Sequence, residues 1–435
     1  MFETIKNAFK IKEVRNKILI TLGLLLLYRL GCFVPVPGID SGSFSSSISG
    51  NGFLGVMSSI SGGALANGTL FAMGVGPYIN ASIIMQLLCI GIPALEKLSK
   101  QGEEGRKKIA QYTRYLTLVL AVVQSVAILI SSSGSIDFTI LGGAEKNLKW
   151  LTYICMTIIF VAGASLTMWI GERITDYGIG NGISLLIFVG ILATAGNAIL
   201  SQLSAIFGGD IAQLWSLLGF LVAVVIVFAC IVTVELAERK IPVQYAKQIK
   251  GRKMYGGQST YIPIKVNGSG VMPLIFAFAI ISFPDLIINM FWPNSNAAVF
   301  YAQYIGMGSY VYPVLLSALI IFFAYFYAMI QFNPDDIAKN IQQYGGFIPG
   351  IRPGKPTTLY LKKISKRITL FGAIFLALVA LVPSLVFTAV AGAANSGLIN
   401  AFSTTGLLIA VSCALEFDKQ LESQIMMRHY KGFLK

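Results

Sequence analysis

Ten apolar stretches, each close to the thickness of a bilayer, decide what this 435-residue chain is able to fold into. A membrane-crossing helix needs about 20 mostly apolar residues. The candidates are 18–34, 69–92, 114–132, 150–171, 181–203, 212–235, 271–291, 312–332, 368–391 and 398–416. Backbone in hydrocarbon must satisfy its polar groups within the segment, so the stretches are predicted as helices and the fold class as all-α and polytopic. Composition agrees: 55% of residues are apolar and 12% charged, where a soluble chain carries about 25% charged residues.

The charges set an orientation. Lys and Arg number 33 against 19 Asp and Glu, for a net +14. With the N-terminus inside, 30 of the 33 basic residues fall on the cytoplasmic side; Arg29, Lys146 and Lys149 are the exceptions. Short basic loops resist crossing the bilayer, so both termini are predicted to be cytoplasmic. That face should attract lipid headgroups, RNA phosphate or an acidic protein. Ile18–Val34 is read as a retained first span, because Arg29 stands where a lipoprotein cleavage site needs Leu and no A-x-A follows.

The connections differ in kind. Outside loops are mostly short, whereas the inside loops 236–270 and 333–367 are long enough to suggest function. In Ser41–Gly63, 15 of 23 residues are Ser or Gly, interrupted by Phe53, Leu54, Val56, Met57 and Ile60. That segment is too polar to span and too apolar for water, which predicts a re-entrant piece tucked into the bundle. Ten spans divide into two five-helix halves of opposite starting orientation, because five is odd. The parity permits an inverted repeat of 1–203 and 212–435 about a hinge at 204–211.

Chemistry-bearing residues are sparse. His429 is the single histidine, and Cys32, Cys89, Cys155, Cys230 and Cys413 lie in or beside apolar stretches with no C-x-x-C. No metal site, cofactor or histidine-based catalysis is expected. The apolar segments hold no paired aspartates and no H-E-x-x-H, which argues against an intramembrane enzyme. Arg29 and Asp285, towards outer ends, and Glu235, at an inner end, read as interfacial. A midplane carboxylate is missing, which argues against proton-coupled transport. Ile79 with Ile83, and Ile183 with Ile187, are i,i+4 pairs, each on one helix face, and by pattern alone are packing positions. Gly178–Gly182 reads as a flexible turn.

The long loops are more specific. Lys247, Lys250, Arg252 and Lys253 surround Gly251, with Tyr245, Tyr255 and Tyr261 interleaved. Arg352 stands between Gly350-Ile351 and Pro353-Gly354. Turn formers that hold Arg at a tip point to docking. On these patterns alone, a secondary transporter for a small solute and a channel served by a docked partner both remain open.

Longer stretches carry a resemblance. Tyr245–Thr260, running on through Pro263–Asn267 to Gly270–Phe276, together with Phe347–Gly354, Gly76–Gln86, Gly105–Arg114 and Gly178–Ser184, is similar to segments of the SecY family. This family forms the channel subunit of the bacterial Sec protein translocase, and the resemblance covers essentially the whole chain. It implies two inverted five-helix halves around a central hourglass pore that passes unfolded secretory polypeptides and releases transmembrane segments sideways into the cytoplasmic membrane. The pore ring would be Ile79, Ile83, Ile183, Ile187, Ile275 and Ile409. Residues from about 41 to 66 would form the plug, with Phe53, Leu54, Val56, Met57 and Ile60 its apolar positions. Spans 2 and 3 against 7 and 8 would form the lateral gate, with Gln86 and Gln124 as gate polars. Arg252, Lys253 and Arg352 would meet ribosomal RNA phosphate or the motor ATPase SecA, and SecE and SecG would be companion subunits. Energy would come from the docked partner, so the resemblance implies neither enzyme activity nor cofactor. One departure stands out: many relatives have Gly-Gly-Thr-Ser after the Phe that opens span 10, where this chain reads Phe402-Ser403-Thr404-Thr405-Gly406. That replacement bears on the register selecting Ile409.

Overall fold

The computed structural model describes residues 8–49, 52–132, 134, 136, 149–207, 212–245, 248–250, 253–255, 259–268, 270, 272–291, 295–305, 311–391 and 404–432. In chain order, helices α1 (Lys12–Gly31), α2 (Ser41–Ser49), α3 (Gly52–Ile60), α4 (Gly76–Gly91), α5 (Pro93–Ser99), α6 (Glu103–Ser131), α7 (Lys149–Tyr177), α8 (Gly182–Phe207) and α9 (Ala212–Leu236) come first. Strands β1 (Glu238–Tyr245), β2 (Gln248–Lys250), β3 (Lys253–Tyr255) and β4 (Ser259–Lys265) follow. Then come α10 (Met272–Phe291), α11 (Asn296–Tyr304), α12 (Val311–Gln331), α13 (Pro334–Gln343), β5 (Gly346–Phe347), α14 (Lys355–Ala391) and α15 (Thr404–Gly432).

Each predicted span coincides with a helix. By length and composition, six helical segments among the described residues are able to cross a membrane, or seven if α4 and α5, bent by 106°, make one broken span. Four buried hydroxyl side chains inside these helices are satisfied locally, whereas that of Thr152 in α7 is buried without a partner. Thr113, Thr117, Ser125 and Thr167 each donate to the carbonyl four residues back.

Two boundaries differ from expectation for identifiable reasons. The second span begins at Gly76, not at 69, because Gly68 and Gly74 take φ of +60° and +51°, which no helix contains. Pro77 then sits in the first turn of α4, where its missing N–H costs nothing. The last helix runs to Gly432, well past the predicted 416, and residues 392–403 lie outside the described residues.

The chain divides into two compact units. One comprises Met1–Gly219, Ala279–Tyr312 and Val390–Lys435. Its apolar centre includes Phe44, Leu65, Ala121, Ile128, Leu129, Met156 and Phe160. The chain approaches α7 closely where glycine allows: a side chain on Gly163 would collide with the Leu70 carbonyl of the turn segment before α4. A smaller cluster ties the base of α1 to α15 through Val14, Ile18, Ile179 and Leu421.

The other unit comprises Phe220–Phe278 and Pro313–Ala389. Here both long loops are built, not loose. β1 pairs antiparallel with β4 from Glu238↔Lys265 to Gln244↔Ser259, and with β5 at Gln244↔Phe347 and Tyr245↔Gly346. Pro242 and Pro263 are tolerated because β4 is an edge strand and β5 reaches only the end of β1. Ile241, Val243, Ile264, Ile341, Ile348, Leu361 and Ile364 form a buried core beneath the sheet. The all-α architecture therefore carries a small sheet that the periodicity of the sequence did not announce.

Candidate functional site

Ile79 and Ile83 sit on α4, Ile79 half-buried and Ile83 buried. Ile183 and Ile187 occupy the first turns of α8, and Ile409 is buried on α15, a helix packed against α8. Ile187 is buried, whereas Ile183 is half-buried with its Cδ1 lying against Gly171 of α7. Five of the six ring candidates thus belong to one unit. Ile275 is half-buried on α10 in the other unit, beside Phe276, which packs on Phe323 and Tyr327.

The turn that starts α8 is anchored, contrary to the flexible reading. Gly180 has φ of +90°, and the Asn181 side chain accepts from the backbone N–H groups of Ile183 (3.1 Å) and Ser184. The Ile179 N–H donates to Thr21 Oγ1 of α1 at 3.1 Å. Gly182 has no room for a side chain, because a Cβ there would meet the Gly171 carbonyl. Two glycines and one Asn therefore set the height at which Ile183 and Ile187 are presented.

The Ser/Gly segment forms two short helices, α2 and α3, followed by tight turns through Gly62, Gly63 and Gly68. Asp40 caps α2: its carboxylate accepts from the Ser43 hydroxyl at 2.5 Å and from the N–H groups of Ser43 and Gly42. The Ser43 hydroxyl, first among these donors, holds the Asp40 carboxyl below the usual range. Leu54 is buried in the apolar centre of its unit, Met57 packs partly against it, and Ile60 is half-buried. The side chains of Phe53 and Val56 lie outside the described set.

Helix α3 packs on α8, where the Thr194 hydroxyl lies 2.9 Å from the Ser59 carbonyl and 3.0 Å from that of Gly190. Arg29, read as interfacial from its place near the end of α1, is half-buried. Its Nη1 is buried without a hydrogen-bond partner and fills the space a Gly62 side chain would need, while the guanidinium also lies 5.8 Å from the Phe33 ring centroid. Nothing in the linear pattern distinguishes this burial from a snorkelling Arg.

Of the gate candidates, Gln124 is buried on α6, and Gln86 on α4 donates to Ser82 Oγ at 3.4 Å. An ion pair that the sequence reading missed joins α6 to α7: Arg114 Nε to Glu172 Oε1 at 2.6 Å. Both residues lie at span borders, and that shared depth was the available signal.

On the docking side, Arg352 is exposed on a turn flanked by Gly350 (φ +81°) and Gly354 (φ +96°). The Thr357 hydroxyl, itself buried, donates to the Arg352 carbonyl at 2.9 Å and fixes the turn. Lys253 opens β3, whose register pairs it with Lys250 across a two-stranded hairpin, and Arg252 lies outside the described residues. Lys240 lies 4.8 Å from the centroid of the exposed Tyr261 ring. Among the described residues no cluster of His, Cys, Asp or Glu is disposed to hold a metal ion.

The SecY family model matches residues 69–417. The protein translocase subunit SecY of Streptomyces galbus is 42% identical over the full length of both chains. A solved channel whose SecY plug domain is described as stabilising the closed state and maintaining a membrane seal superposes with a TM-score of 0.64 at 21% identity, covering 94% of this chain and 92% of that one. Sec61 in the canine ribosome–channel complex superposes with a TM-score of 0.58 at 19% identity and the same coverage.

Proposed function

The chain belongs to the SecY family, and from that premise we propose how its residues serve a protein-conducting channel in the bacterial cytoplasmic membrane. The observation that carries the reading is full-length identity to a protein translocase subunit, joined to helices on all ten spans. The solute-transporter alternative has no support from the family.

In this reading, Ile79, Ile83, Ile183, Ile187, Ile275 and Ile409 line the constriction between two inverted halves, 1–203 and 212–435, hinged at 204–211. An apolar constriction sheds water and so blocks ions when empty. Branched aliphatic side chains adapt their rotamers to a passing peptide of any sequence. Residues 41–66 plug the outer side, and Gln86 and Gln124 belong to a lateral gate that lets apolar helices leave into lipid. The basic platform faces the cytoplasm with both termini and docks the ribosome through RNA phosphate, or SecA, by way of Arg252, Lys253 and Arg352. SecE and SecG complete the complex, and the driving energy is the partner's, so the chain itself performs no catalysis.

Polar substitution tests the ring. Ile83→Asn or Ile275→Asn should raise ion conductance in planar bilayers and admit precursors with defective signal sequences, because a wetted constriction opens at lower cost. Unchanged conductance in both would refute the ring.

A further inference from the structure

We propose that Arg29, Gly190 and Thr194 form a socket that seats the plug by its C-terminal turn. The inference rests on the reading of 41–66 as the plug and names the residues that hold it.

Three independent contacts converge on that turn. The first is steric. A side chain on Gly190 of α8 would collide with the Ile60 carbonyl oxygen, with the Gly62 nitrogen 3.2 Å away. Glycine at this point lets the end of α3 lie directly on the α8 backbone.

The second is a hydrogen bond with a built-in alternative. The Thr194 hydroxyl has one proton and two acceptors in reach, Ser59 O at 2.9 Å on the plug and Gly190 O at 3.0 Å on its own helix. When the plug leaves, the same proton turns to the Gly190 carbonyl, as Thr side chains in helices commonly do. Seating therefore gains part of a hydrogen bond, and unseating strands no buried donor.

The third is electrostatic. Arg29 Nη1 occupies the place of a Gly62 side chain, two residues beyond the last residue of α3. The C-terminal end of a helix carries partial negative charge, so a guanidinium there attracts the seated helix. Yet Nη1 is buried and has no hydrogen-bond partner, so its desolvation opposes the seating that its charge favours. Desolvation offsets only part of the attraction. The plug is held weakly enough to be displaced, and Arg29 regains water or a carbonyl once it goes.

Arg29 and Thr194 are positioning residues: they act through the plug and touch no translocating chain in the closed form. The test is resting ion leak in planar bilayers, using the full-length channel purified with whatever subunits accompany it, alongside precursor translocation in vesicles. Thr194→Val and Arg29→Gln should each raise resting leak about twofold, the change expected when part of a hydrogen bond or a partly offset helix-end charge contact is lost. Translocation should persist in both, showing that they fold. Thr194→Ser and Arg29→Lys, which keep the hydroxyl and the charge, should seal nearly as the parent does. Gly190→Ala should leak most. Deleting residues 53–63 serves as the reference. If the deletion leaks but Thr194→Val and Arg29→Gln seal normally, the socket is refuted and the plug stands. If the deletion itself seals normally, the plug reading falls and the socket with it.

Discussion

Two stretches of this chain are too polar to span a membrane, and they are held in place by different balances of apolar burial and hydrogen bonding. The platform of β1, β4, β5 and the start of α14 rests on seven buried aliphatic side chains, Ile241, Val243, Ile264, Ile341, Ile348, Leu361 and Ile364. The segment that forms α2 and α3 places Phe44 and Leu54 in a core supplied mostly by other elements, with Met57 packed partly against it. It is tied as well by Ser, Thr and Asp hydrogen bonds and by close backbone contact at Gly62 and Gly190. Apolar burial is large and non-directional, and it favours a part that must stay rigid. Exchangeable hydrogen bonds contribute little net free energy each, and they favour a part that must leave. The two balances suit the docking surface and the displaceable seal proposed for these stretches.

The contrast breaks most readily at Leu361, which is fully buried under the sheet. Leu361→Ala should cost about 2–5 kcal/mol of local stability, the range for emptying a well-packed aliphatic site. Hydrogen exchange should show faster opening of β1 and β4 amides with no change around Leu54. Equal acceleration at both places would mean the platform and the plug segment are not independent. Next in size is Arg352→Glu, which should abolish ribosome or motor binding in flotation assays while leaving expression intact. Normal binding would remove Arg352 from the docking surface.

Smaller effects sharpen the picture. Thr357→Val should cost about 1 kcal/mol, one buried hydrogen bond. It should loosen the Arg352 turn, read as faster proteolysis at 350–354 and weaker docking. The smallest effect concerns acid. The Asp40 carboxyl is held below its ordinary range by Ser43. Its capping of α2 is therefore complete above the ordinary aspartate pKa and is lost only as pH falls through the lowered value. Ion leak should stay level from about pH 7 to about pH 5, with any loss of seal confined to pH below about 4. A rise in leak near pH 6 would contradict Asp40 as the cap.

How much of this was legible beforehand follows from the kind of force involved. The ten spans were readable because lipid demands continuous apolarity, and each coincides with a helix. Arg352 was readable as a presented tip because Gly350, Pro353 and Gly354 have only turn uses. Helices α2 and α3 were not, since Ser and Gly are poor helix formers and these helices lean on tertiary contact as well as on the Asp40 cap. The sheet escaped because β1 has just two inward positions, Ile241 and Val243, and pairs with β5 about a hundred residues away in sequence. Arg29 looked interfacial because its depth was visible while its neighbour Gly62, brought near by folding, was not.

The central claim is that polypeptide passes the isoleucine constriction, and site-specific photocrosslinking at Ile83 tests it most directly. A photoreactive residue there would be challenged in membrane vesicles with a secretory precursor stalled by a folded C-terminal domain. Crosslinks to the precursor that require both the docked motor and ATP are the expected result. Crosslinks confined to neighbouring helices, while translocation demonstrably proceeds, would place the path elsewhere and remove every ring residue from the account.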